Sequence, residues 1–155
     1  MKKLFNIIDK LSINFFSIVL LITSFILGKW SLLLTYYFVA IAHELFHLLA
    51  CKIFKLKIIK FTILPLGVSM AVKDIEKADS IKQVIIYLMG PISVFINVLI
   101  ANILFSYNLI SIISFNNIIS LSIAMSLCNL LPIFPLDGYK ALKSMLQIFI
   151  PYKKA

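Results

Sequence analysis

Residues Trp30–Cys51 read WSLLLTYYFVAIAHELFHLLAC, an apolar run in which Glu44 is the one charged side chain, flanked by His43 and His47, the only histidines of the chain. The run has the length of a bilayer-spanning helix, which needs about 20 mostly apolar residues. Its three ionisable groups are the anomaly. Each costs roughly 2.5–3.5 kcal/mol at the centre of a span, so three together require a partner that compensates them. Outward from this stretch the pattern repeats: Leu11 to Gly28 carries no charge, and neither does Gln83 to Leu136. The whole chain of 155 residues is 62% hydrophobic with a mean hydropathy of +1.06. A water-soluble globule is excluded, because ordinary soluble domains are about 45–50% apolar.

The net charge of +9 comes from fifteen lysines and no arginine. Their positions argue against a nucleic-acid partner and for the lipid bilayer. Lys2, Lys3 and Lys10 precede the first apolar run, seven lysines lie between Lys52 and Lys82, and Lys140, Lys143, Lys153 and Lys154 follow the last. If these groups share the cytoplasmic side, the positive-inside bias is satisfied with an even number of crossings between them. The expectation is a multi-pass cell-membrane protein with both termini cytoplasmic. Cys51 and Cys128 show no spacing that suggests a disulfide framework, and the apolar N-terminal stretch lacks a small-residue cleavage pattern, so it reads as a retained span.

The expected fold is an all-α membrane protein forming one domain over residues 1–155. Four spans are expected, at about 12–28, 31–51, 83–106 and 118–131, with a tight turn at Gly28-Lys29 between the first two. Lys57 to Val72 is rich in Ile, Phe, Thr and Val and is broken by Pro65 and Gly67, which predicts two short strands around a turn. Lys73 to Lys82 reads as an exposed polar connection. Tyr107 to Asn117 reads as a short interfacial loop with Asn108, Asn116 and Asn117 as turn formers, and an amphipathic helix is expected from Asp137-Gly138 to about Ile150.

On a helix, residues four apart share a face, so His43 and His47 can offer two imidazole nitrogens to one metal ion with Glu44 beside them. Zinc is the expected ion, one per chain. A catalytic zinc keeps three protein ligands and an open position for water, whose proton an adjacent carboxylate can take. The acidic candidates for the third ligand are Asp9, Asp74, Glu76, Asp79 and Asp137. Asp137 is best placed, at the proline-broken end of an inward-running span, where irregular backbone lines a polar cavity. On the same topology the metal lies ~6–12 Å inside the cytoplasmic end of the second span. Cys51 competes, since it continues the face of His43 and His47 and thiolates bind zinc well, although one helix cannot easily wrap an ion with three successive turns.

Asn129-Leu-Leu-Pro132-Ile-Phe-Pro135-Leu-Asp137-Gly138, coming after His43-Glu44-Leu-Phe-His47, resembles the paired signature of the site-2 protease family of intramembrane metalloproteases. The similarity is greatest to the bacterial sporulation branch that processes a sigma-factor precursor, and it extends to Leu64-Pro65-Leu66-Gly67-Val68 and Gly90-Pro91. The resemblance implies that His43, His47 and Asp137 ligate zinc, that Glu44 is the general base and that Asn129 steadies the oxyanion. It implies cleavage of a membrane-associated protein or peptide near the cytoplasmic face, and leaves room for an inhibitory membrane partner. The strands after the second span would hold an extended substrate by strand addition.

The chain departs from the family where many relatives have asparagine three residues after the proline of Gly-Pro: here that position is Val94, with Ser93 before it and Asn97 beyond. It also ends soon after the tail helix, so the nucleotide-sensing domain of some sporulation relatives is not expected. Two other function classes compete. A catalytically silent membrane-bound scaffold would not need Glu44, and a metal transporter would need ionisable residues on several spans, whereas the first and third carry none.

Overall fold

The computed structural model describes residues 11–65 and 67–150. Asp9, Lys2, Lys3, Lys10, Lys153 and Lys154, all used in the sequence expectations, lie outside the described residues, as does Leu66. The elements in chain order are a strand β1 (Leu11–Ile13), helix α1 (Phe15–Ile26), helix α2 (Trp30–Ile53), strands β2 (Ile58–Leu64) and β3 (Gly67–Val72), a 3-10 turn (Ile75–Lys77), and helices α3 (Ser80–Ser106), α4 (Ile112–Leu130) and α5 (Asp137–Phe149). The fold is mostly helical, and α2, α3 and α4 are long and apolar enough to cross a bilayer. Membrane association follows from them. Their outward faces carry large apolar side chains such as Leu45, Phe95, Leu99 and Leu127, all well exposed, as a lipid solvent requires.

The first expected span is different. Where a helix over residues 12–28 is predicted from the unbroken apolar run, the chain forms a three-residue strand and a helix of only 12 residues. Asn14 stops the strand and starts the helix, its side chain accepting from the Phe16 amide at 2.9 Å. Gly28 ends it in the left-handed conformation at φ 66°, with the Lys29 amide donating back to the Ser24 carbonyl, the hydrogen bond that closes a helix C-terminus. At ~1.5 Å per residue α1 is about 18 Å long, well short of a ~30 Å hydrocarbon layer.

A three-stranded sheet results, in the order β1-β2-β3. β1 runs parallel to β2, with Leu11 opposite Phe61, and β3 returns antiparallel, with Leu64 opposite Gly67 and Thr62 opposite Ser69. The predicted hairpin is present; the extra parallel strand corrects the all-helical reading of the N-terminal run. The hairpin stands upright along α2. The Tyr37 hydroxyl donates to the Leu64 carbonyl at 3.0 Å and the Ser17 hydroxyl to the Ile63 carbonyl at 3.2 Å. A Cβ on Gly67 would touch the Tyr36 hydroxyl and the Ala40 methyl, so the turn lies beside Ala40, about 20 Å up the helix from Ile53 at ~1.5 Å per residue.

Two further boundaries moved. α4 begins at Ile112 rather than near residue 118, because the Ser111 side chain caps it by accepting from the Ser114 amide. Asn116 and Asn117 therefore lie inside the helix, and the loop is Tyr107 to Ser111, with Asn108 at φ 55°. α3 starts at Ser80, taking in the end of the expected polar connection. α3 is the hub of the bundle, packing against α2, α4 and α5. Ala50, Cys51 and Ile86 form the apolar core beneath, with Met70, Val72, Ile75 and Met89 closing around it.

Candidate metal centre

His43 and His47 are one turn apart on α2, and both are buried. Asp137, the first residue of α5, reaches the same point from the other side of the bundle. Its Oδ2 lies 3.1 Å from His43 Nε2 and 2.9 Å from His47 Nε2, and the two Nε2 atoms are 3.2 Å apart. Three ligand atoms in a triangle of this size match one face of a tetrahedron. With zinc bonds of ~2.0–2.1 Å, its corners are about 3.3–3.4 Å apart. The donor set could hold a metal ion. Cys51, the competing third ligand, is not among the converging donors; it is fully buried in the apolar core.

The surroundings orient this triangle. His47 donates from Nδ1 to the Ile86 carbonyl at 2.7 Å, a bond that fixes the tautomer and leaves the Nε2 lone pair facing Asp137. Ile86 lies near the weak point of α3, since Pro91 has no amide hydrogen and cannot bond the carbonyl four residues earlier. Lys140, one turn along α5, lies 3.4 Å from Asp137 Oδ1 and 5.6 Å from the centre of the Tyr87 ring. The Lys140 ammonium favours the charged form of the Asp137 carboxyl, the form that ligates a metal.

Two glycines permit the convergence. A Cβ on Gly90 would overlap Nε2 of both His43 and His47, so the main chain of α3 forms the floor of the site. A Cβ on Gly138 would run into the Leu130 and Leu131 carbonyls, and its absence lets the start of α5, with Asp137, press against the end of α4. The sequence shows Gly90-Pro91 and Asp137-Gly138 as motif residues, but not that these hydrogens are what the histidines and α4 pack on.

Glu44 sits between two narrow cavities. One, of about 90 Å³, is lined by Glu44, His47, Asp137, Tyr87 and Lys140 together with Ser69 and Met70 of β3. The other, of about 110 Å³, is lined by Ala40, His43, Glu44, Met125, Asn129 and the Gly67-Val68 start of β3. Asn129 thus comes to the same side as Glu44 and His43; one of its amide hydrogens is engaged by the Met125 carbonyl at 3.0 Å. Asp74, Glu76 and Asp79, the other described acidic candidates, do not join the cluster. Tyr87, Lys140 and Ser69 were not read as site residues in the sequence. Only Lys140 had a signal, its position one turn after Asp137.

No known family model matches this chain, and no curated protein is significantly similar to it in sequence. The functional reading rests on the motifs and their geometry.

Proposed function

We propose that the protein is an intramembrane zinc metallopeptidase of the site-2 protease type, which hydrolyses a peptide bond of a membrane-associated protein or peptide near the cytoplasmic face. The observation that carries this reading is the triangle of His43 Nε2, His47 Nε2 and Asp137 Oδ2 with Glu44 lining the cavities on both sides of it. His43, His47 and Asp137 would hold the zinc, which when bound acidifies a water molecule and polarises the scissile carbonyl. Glu44 takes the proton of the attacking water and delivers it to the leaving amine. The second amide hydrogen of Asn129 is the donor for the developing oxyanion, the kind of group whose preorganisation often contributes the largest catalytic term.

The cavities on either side of Glu44 are small, about 90 and 110 Å³. Neither is large enough for a helix of ~10–12 Å diameter, so a substrate would reach Glu44 in extended form. β3 lines both cavities and is an edge strand of the described sheet, so a substrate strand would add alongside it. A larger cavity of about 520 Å³, sharing Ile75, Tyr87 and Lys140 with the first, offers water and peptide a way in from the lysine-rich end.

The parallel pairing of β1 with β2 supports cytoplasmic termini. β2 starts at the end of the bundle where α2 gives way to Lys55 and Lys57, and β1 runs in the same direction, joining it from Phe61 onward. β1 and α1 together cover about 28 Å at ~3.3 Å per strand residue and ~1.5 Å per helix residue, so strand and helix share the first crossing. α3 and α4 then return the chain to the lysine side, where α5 lies.

The test is metal content together with cleavage. Purified protein contains about one zinc per chain and cuts a membrane-anchored test substrate; Glu44→Gln keeps the zinc and lowers the cleavage rate by ~10²–10⁴-fold. Undiminished cleavage in that variant rejects the mechanism. Loss of cleavage with wild-type zinc separates this enzyme from a silent scaffold.

A further inference from the structure

Asn97 on α3 is 1% exposed, and among the described residues neither its amide nitrogen nor its carbonyl oxygen has a hydrogen-bond partner; the Ser122 hydroxyl on α4, 2% exposed, is in the same condition. These are exceptions in this molecule. Thr23, Thr35, Asn102, Ser106, Asn129 and Ser144 all satisfy their side chains on the carbonyl one turn earlier in their own helix. Asn97 and Ser122 do not use this local solution.

The two residues share one level of the bundle. The Ser126 hydroxyl donates to the Pro91 carbonyl at 3.0 Å, which fixes the register of the antiparallel α3–α4 pair. Ser122 lies one turn, about 6 Å, beyond Ser126. Asn97 lies about 9 Å beyond Pro91, whose carbonyl already points some 2–3 Å that way. Ser93 and Ala101, one turn on either side of Asn97 on α3, and Ser126 on α4 are all buried and all small. Membrane helices approach closely along such seams and use polar side chains as cross-helix contacts.

We propose that Asn97 and Ser122 bind one internal water molecule between α3 and α4. The class of ligand follows from the donors and acceptors. The amide nitrogen needs an acceptor, which rules out a bare cation; the amide oxygen needs a donor, which rules out an unprotonated anion; the hydroxyl takes either role. Water supplies both, and three polar atoms are the usual complement of a buried water. Bound there, the water links two helices just past the proline that weakens α3. This inference stands on burial and register alone, so it survives or fails independently of the proposed hydrolysis.

The full chain, labelled with ¹⁵N at asparagine and reconstituted in lipid nanodiscs, tests it by cross-relaxation between water and side-chain amide protons. The Asn97 amide, identified as the signal missing from Asn97→Leu, is expected to show a cross-peak to a long-lived water. Ser122→Ala, a small change that the fold tolerates, weakens or abolishes that cross-peak by removing one of the three partners. An Asn97 amide without water cross-relaxation overturns the proposal. A cross-peak of full strength in Ser122→Ala also overturns it as a shared site.

Discussion

Two buried polar clusters lie on successive levels of the bundle, and they need different things. The lower one, His43, His47 and Asp137, brings lone pairs and a carboxylate to one point. Such a set could hold a metal ion. The upper one, Asn97 and Ser122, is neutral and carries donors and acceptors together. It asks only for a molecule that does the same. The contrast shows how polar groups persist in an apolar bundle: donor and acceptor chemistry, not burial, distinguishes the candidate metal centre from the neutral pair, since both are almost fully enclosed.

The comparison breaks most sharply at Asp137. Asp137→Ala removes one of three ligands and is expected to reduce bound zinc from about one per chain to background, measured by elemental analysis, while the Asn97 amide signal stays in place. Next is Gly90→Ala. The added methyl overlaps both imidazoles, and overpacking of this kind costs about 1–3 kcal/mol; lower zinc occupancy and a lower unfolding midpoint in detergent are both expected, and an unchanged occupancy would contradict the floor assigned to α3. Asn97→Leu is milder. Cross-helix polar contacts in membrane proteins contribute about 0.6–1.7 kcal/mol, so the thermal midpoint falls slightly while zinc content and cleavage hold. Smallest is Lys77→Ala. Lys77 and Asp74 pair at 2.8 Å with both side chains exposed, away from both clusters, and no measurable change in midpoint, zinc or rate is expected.

Much of the lower cluster was legible before any coordinates. Helical spacing puts His43 and His47 on one face, and the proline-broken end of the last span singles out Asp137 over Asp74, Glu76 and Asp79; the geometry brings those three donors together. The upper cluster was not legible. Asn97 stood out only as a misplaced asparagine, because whether a side chain has a partner depends on the register of two helices. β1 was missed for a related reason. Three residues carry no periodicity, and Leu11 to Ile13 become a strand only through pairing with residues fifty positions later. The early start of α4 was a local signal overlooked, the Ser111 cap outweighing the turn preference of Asn116 and Asn117. The role of Gly90 lay beyond sequence in another way. A glycine tells what it lacks, not what it faces.

The hydroxyls that hold the upright hairpin have an order in time. Ser17 and Tyr37 belong to α1 and α2, and the carbonyls they serve, at Ile63 and Leu64, come later in the chain. During synthesis the two helices are therefore made before the strands. When the hairpin forms, its turn meets hydrogen-bond donors already in position, and its carbonyls need not wait bare against hydrocarbon. A circular permutant that made the hairpin first would reverse that sequence of events, placing the burden of assembly on whatever chaperoned the strands meanwhile.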